Sequence, residues 1–90
     1  MEKRYNIEIV AFGKRLKQLR TKKGFTQLDL EVQSGISRTE ISRIETGQKN
    51  IEFLTIVRLA EALNIKIATF FDNSSISTSW KSLFWPIEIF

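Results

Sequence analysis

Residues 27–46 read Gln-Leu-Asp-Leu-Glu-Val-Gln-Ser-Gly-Ile-Ser-Arg-Thr-Glu-Ile-Ser-Arg-Ile-Glu-Thr. Two short helical patterns meet at Gly35, and the second opens with Ser37 followed three residues later by Glu40. That spacing has the capping-box form, in which a serine hydroxyl and a glutamate carboxylate satisfy each other's unpaired backbone amides. It places the start of a helix at Arg38 and its end before Gly47. Ile41 and Ile44, three residues apart, turn inward and leave Arg38, Thr39, Ser42, Arg43 and Thr46 outward. Two short helices joined by a tight glycine turn form a helix-turn-helix, and a polar second helix of this size fits the major groove of B-DNA.

Working outward from this stretch, Ile9, Phe12, Leu16 and Leu19 recur at helical spacing and predict an amphipathic first helix over residues 7–22, closed by Gly24 after a basic last turn. Thr26, with Asp29 close behind, is the expected N-cap of a second helix that runs to Ser34. Phe53, Ile56, Leu59, Ala60 and Leu63 form the apolar stripe of a fourth helix ending at Asn64, and Ile67 to Phe71 make a short fifth. No segment of the first 72 residues alternates with period two, so the expected fold class is all-α, a compact bundle of five short helices.

Composition narrows the function. The 90 residues suffice for one small core, and the chain contains neither Cys nor His. Disulfides, zinc fingers, thiol chemistry and imidazole catalysis are excluded by that inventory, and no nucleophile-base pair, metal set or phosphate loop is visible. No enzyme activity, metal or cofactor is therefore expected. A formal net charge of +4 favours a polyanionic partner. No apolar run approaches the ~20 residues that span a bilayer, and the N-terminus lacks the apolar centre of a secretory signal, so a cytoplasmic protein is expected.

Several motifs in fixed order carry a family resemblance: Gly24-Phe25-Thr26-Gln27, Ser34-Gly35-Ile36-Ser37, Ile41 to Gly47, and Leu59-Ala60-Glu61-Ala62-Leu63. Together, over about residues 8 to 72, they resemble the phage repressor and Cro (Xre-type) helix-turn-helix regulators. The resemblance implies a five-helix DNA-binding domain acting as a dimer on palindromic operators. It also implies that Gln27 contacts phosphate, and that Arg20 and Glu45 form a salt bridge between the first and third helices. One position departs from the pattern. Glu31 stands where the family usually has alanine, and a buried unpaired carboxylate costs several kcal/mol, so Glu31 is expected to reach solvent, find a partner or change the angle between the helices.

Arg38 and Arg43 are the expected base contacts, since each can pair bidentately with guanine O6 and N7. Thr39 and Ser42 join them as candidates for base edges or a thymine methyl. Gln27 lies where the amides of a helix N-terminus meet phosphate. Lys49 and Asn50 follow the recognition helix, and with Ser37 and Thr46 at its two ends they complete the expected backbone contacts. The cations of the first helix read as a solvated face.

Beyond Asp72 the composition changes, dividing the chain into residues 1–72, a serine-rich linker over 73–79 and an apolar tail over 80–90. Trp80, Leu83, Phe84, Trp85, Ile87, Ile89 and Phe90 put seven large apolar residues in the last eleven. Leu28 and Val32, four apart on the second helix, lie on a side that periodicity does not assign to the core. The tail is expected to cover apolar surface of its own domain or of a second subunit. Two functions compete: a dimeric transcriptional repressor or controller, and an antitoxin-like interaction module that masks a protein partner with residues 80–90 and binds DNA secondarily.

Overall fold

The computed structural model describes residues 2–71, which form α1 (Glu2–Lys22), α2 (Gln27–Ser34), α3 (Arg38–Glu45), α4 (Phe53–Leu63) and α5 (Ile67–Phe71), with no strand among them. The linker over 73–79 and the tail over 80–90 lie outside the described residues. Helix α1 begins five residues before the expected start at residue 7. The first apolar residue of the stripe is no boundary signal: Glu2-Lys3-Arg4 are good helix formers, and neither Gly nor Pro interrupts the chain before Gly13.

Each terminus of the central helices has a local cause. The Thr26 hydroxyl accepts from the Asp29 amide at 3.0 Å, and the Asp29 carboxylate accepts from the Thr26 amide at 2.8 Å, so α2 opens on a complete capping box. Helix α3 shows only half of the box its sequence suggests. Ser37 Oγ accepts from the Glu40 amide at 3.1 Å, but the Glu40 carboxylate lies instead 3.8 Å from Lys49 Nζ. Between these helices Gly35 adopts φ 77°, ψ 7°, a left-handed conformation open to glycine at no steric cost, and its amide closes on the Glu31 carbonyl at 2.9 Å. Asn64 ends α4 in the same conformation, at φ 56° and ψ 47°.

One core joins all five helices: Phe12 and Leu16 from α1, Leu30 from α2, Ile36 from the turn, Ile41 and Ile44 from α3, Leu59, Ala60 and Leu63 from α4, and Phe70 from α5. Full burial of a side chain such as Leu or Ile stabilises by about 1.5–3 kcal/mol, which makes this cluster the main reason for the fold. Phe12 stacks obliquely on Phe70, ring centroids 4.9 Å apart. The stripe expected on α4 needs one correction. Phe53 is 70% exposed, and the buried positions are Thr55, Leu59, Ala60 and Leu63. Phe53 is the first helical residue, and the core-facing side of α4 begins two residues later.

Helix α1 approaches α3 closely because residue 13 is glycine. A Cβ there would collide with the Ile44 carbonyl oxygen and come within 3.0 Å of the Glu45 carbonyl oxygen. Two cations also serve the fold, Arg15 of α1 donating from Nε to the Thr69 carbonyl at 3.3 Å and Lys23, in the turn after α1, donating from Nζ to the Leu63 carbonyl at 3.1 Å.

Candidate nucleic-acid interface

Helix α3 has two distinct sides. Ile41 and Ile44 are fully buried and Glu45 nearly so, anchoring the helix from behind. In front, Arg38, Thr39 and Arg43 are exposed and Ser42 is half-buried. Arg38 with Ser42, and Thr39 with Arg43, are pairs four residues apart, so the four side chains share one outward face. Among the described residues, none of the four makes a side-chain hydrogen bond or ion pair. Two guanidinium forks and two hydroxyls are thus left for an external partner, a set suited to base edges and phosphates.

The rear of α3 is fastened by a buried ion pair. Arg20 Nε donates to Glu45 Oε2 at 2.6 Å and Arg20 Nη2 to Glu45 Oε1 at 3.1 Å, a bidentate arrangement with both side chains less than a tenth exposed. Arg20 Nη1 also donates to the Phe25 carbonyl at 2.7 Å, tying in the loop that leads to α2. Gln27 Nε2 completes the group by donating to Glu45 Oε1 at 3.0 Å. This last contact, between residues 18 apart in sequence, has no local signal, and the sequence reading missed it.

The remaining candidates differ in what their polar atoms are free to do. Ser37 spends its oxygen as an acceptor from Glu40 and keeps its hydroxyl proton for an external acceptor. Thr46 is the reverse: its one hydroxyl proton goes to the carbonyls of Ser42 at 2.9 Å and Arg43 at 3.2 Å, so any external acceptor must compete with the helix for it. Lys49 is half-buried beside Glu40, and Asn50 is exposed on the loop after α3. Glu31 is half-buried, with no ion pair among the described residues, and so keeps access to water at the position where alanine is usual.

The capping box also tunes the protonation of Asp29. The hydrogen bonds it accepts from the Thr26 backbone and makes with the Thr26 side chain hold its carboxyl below the ordinary value of 3.8. No group of His, Cys, Asp and Glu side chains among the described residues is placed to hold a metal ion, and none of their helices is long and apolar enough to cross a membrane.

A locked five-helix bundle with a polar recognition helix defines the class of helix-turn-helix DNA-binding domains. The chain belongs to the helix-turn-helix family HTH_3, which matches residues 16–70. It is 38% identical over 53 residues to an uncharacterized HTH-type transcriptional regulator, y4dJ, of Sinorhizobium fredii, spanning 59% of this chain and 69% of that protein. It is 43% identical over 56 residues to the HTH-type transcriptional repressor RghR of Bacillus subtilis, spanning 61% of this chain but only 42% of the repressor. Among solved structures, the restriction-modification controller protein C.AhdI from Aeromonas hydrophila superposes with a TM-score of 0.71 at 40% identity, covering 72% of this chain and 98% of the controller.

Proposed function

We propose that this chain is a sequence-selective transcriptional regulator that binds double-stranded DNA as a homodimer in the cytoplasm, a repressor or controller with α3 in the major groove. The outward face of α3 carries the reading: Arg38, Thr39, Ser42 and Arg43 make no side-chain hydrogen bond or ion pair among the described residues, on a helix that a buried ion pair fastens from behind. Arg38 and Arg43 read guanine edges, at about 1–3 kcal/mol of discrimination each. Thr39 and Ser42 contact neighbouring base edges or thymine methyls. Gln27, Ser37, Lys49 and Asn50 grip phosphates on either side and set the register, with Thr46 in a lesser role because its proton is spent within the helix.

A single recognition helix reads only a few base pairs, so useful specificity calls for two copies on two half-sites. The names of the relatives and the controller-like fold favour this regulator over the antitoxin-like module. That residues 80–90 cover apolar surface of their own domain or of a second subunit is a separate element of the proposal, supported by the apolar sequence of that segment and by exposures of 54% at Leu28 and 73% at Val32 on α2. Removal of residues 74–90 then changes association state or thermal stability; no change in either would reject that element alone.

Selection of binding sites from randomised duplex DNA at ~150 mM salt tests the main proposal, because that ionic strength suppresses non-specific phosphate binding. A palindrome with half-sites about one helical turn apart is the expected result. A folded protein that enriches no sequence would overturn it.

A further inference from the structure

We infer that Glu45 is a positioning residue for DNA binding, one that dictates how Gln27 presents its amide to the phosphate backbone. The inference rests on the proposed phosphate contact of Gln27 and goes beyond it, since the Glu45 side chain is almost wholly buried and acts through Gln27. An ionised carboxylate has only acceptors, so the side-chain amide of Gln27 faces it with NH2 and not with its carbonyl. One Nε2 proton is spent on Glu45 Oε1, and the second remains for an anion.

The same carboxylate is itself immobilised by the two-point grip of Arg20. Its main chain is immobilised as well, because the Glu45 carbonyl lies against Gly13. Glu45 is therefore the point at which α1, α2 and α3 meet through a single side chain. Holding the long Gln27 side chain in one rotamer before DNA arrives removes an entropy cost that a freely rotating glutamine would meet on binding.

The test is a double-mutant cycle on a mixed-sequence 20-base-pair duplex at ~50 mM salt, where phosphate contacts dominate affinity. Gln27→Ala should weaken binding roughly 10-fold, the scale of one hydrogen bond to a charged oxygen. Glu45→Gln keeps the shape but lets the facing amides turn either way, and it should weaken binding by a similar factor. The double variant should bind no worse than the poorer single one. Losses that multiply to roughly 100-fold, or wild-type binding by folded Glu45→Gln, would overturn the inference, because a purely structural Glu45 acts independently of Gln27.

A second measurement needs no variant. By NMR, the side-chain amide protons of Gln27 should exchange several-fold more slowly than those of the exposed Gln18, Gln33 and Gln48. Equal exchange would overturn the inference even if binding is strong. Absence of duplex binding by the wild type, with Gln27 protected, would reject the DNA-binding reading and this positioning role with it.

Discussion

The front and back of α3 share eight residues and almost nothing else. The back is largely apolar, buried and closed by a two-point ion pair, while the front is polar, exposed at all but the half-buried Ser42 and without side-chain bonds among the described residues. Replacing a residue on the back therefore changes whether the helix is presented at all. Replacing one on the front changes only what it meets. With the proposed base contacts confined to the front, stability and recognition become separable on this helix to an extent that a more evenly packed element would not allow.

The largest expected effect comes from breaking the back. Glu45→Ala strands a buried guanidinium, and loss of one partner of such a pair costs about 3–5 kcal/mol, a large share of a small domain's stability. Chemical denaturation should show that loss, with all DNA sequences weakened alike; native stability with altered sequence preference would mean that Glu45 belongs to the front. Gly13→Ala comes next. It gains up to about 1 kcal/mol of helix propensity but forces a Cβ against the Ile44 and Glu45 carbonyls, and the overpacking, about 1–3 kcal/mol or more, should dominate. A Tm equal to or above wild type would show that α1 and α3 can part without penalty.

On the front, Arg38→Ala and Arg43→Ala should each leave stability within about 0.5 kcal/mol while relaxing preference at one operator position by about 1–3 kcal/mol. Binding to a panel of single-base operator variants distinguishes this from a uniform loss, which would assign that arginine to phosphate instead.

The smallest effect lies outside α3 and sharpens the contrast from α2. Thr26→Ala should cost about 1 kcal/mol by removing the cap. The Asp29 half of the box adds a pH dependence. Its folded-state value lies below the ordinary 3.8, so its contribution is fully present above the ordinary value and disappears as pH falls through the lowered one. The gap in Tm between wild type and Asp29→Asn should accordingly close on acidification below pH 3.8, and a gap constant down to pH 2 would count against the box.

Much of this arrangement is local and therefore legible in sequence. Thr26 and Ser37 mark helix starts, Gly35 marks the turn, and Ile41 and Ile44 mark the inward side, because caps and helical spacing operate over a few residues. The features that the sequence reading missed are tertiary. Gly13 looks like a mere weak point in a helix until α3 lies across it, and the bond from Gln27 to Glu45 joins residues on different helices. The start of α1 is not legible because a charged helical turn carries no apolar rhythm, and the exposure of Phe53 is not legible because the stripe gives spacing but not what packs over its first turn. For Ser37, the cap was legible, but the choice of Glu40 between the serine amide and Lys49 was not.

The unbonded front of α3 bears on how such a protein changes over evolutionary time. Arg38, Thr39, Ser42 and Arg43 make no side-chain bond among the described residues that would need compensation when they are exchanged. Under the proposed reading, exchanges at these four positions shift operator preference at little expense to folding, whereas replacement of the concealed Gly13, Arg20 or Glu45 disturbs the seam between α1 and α3 and so is felt on every target at once.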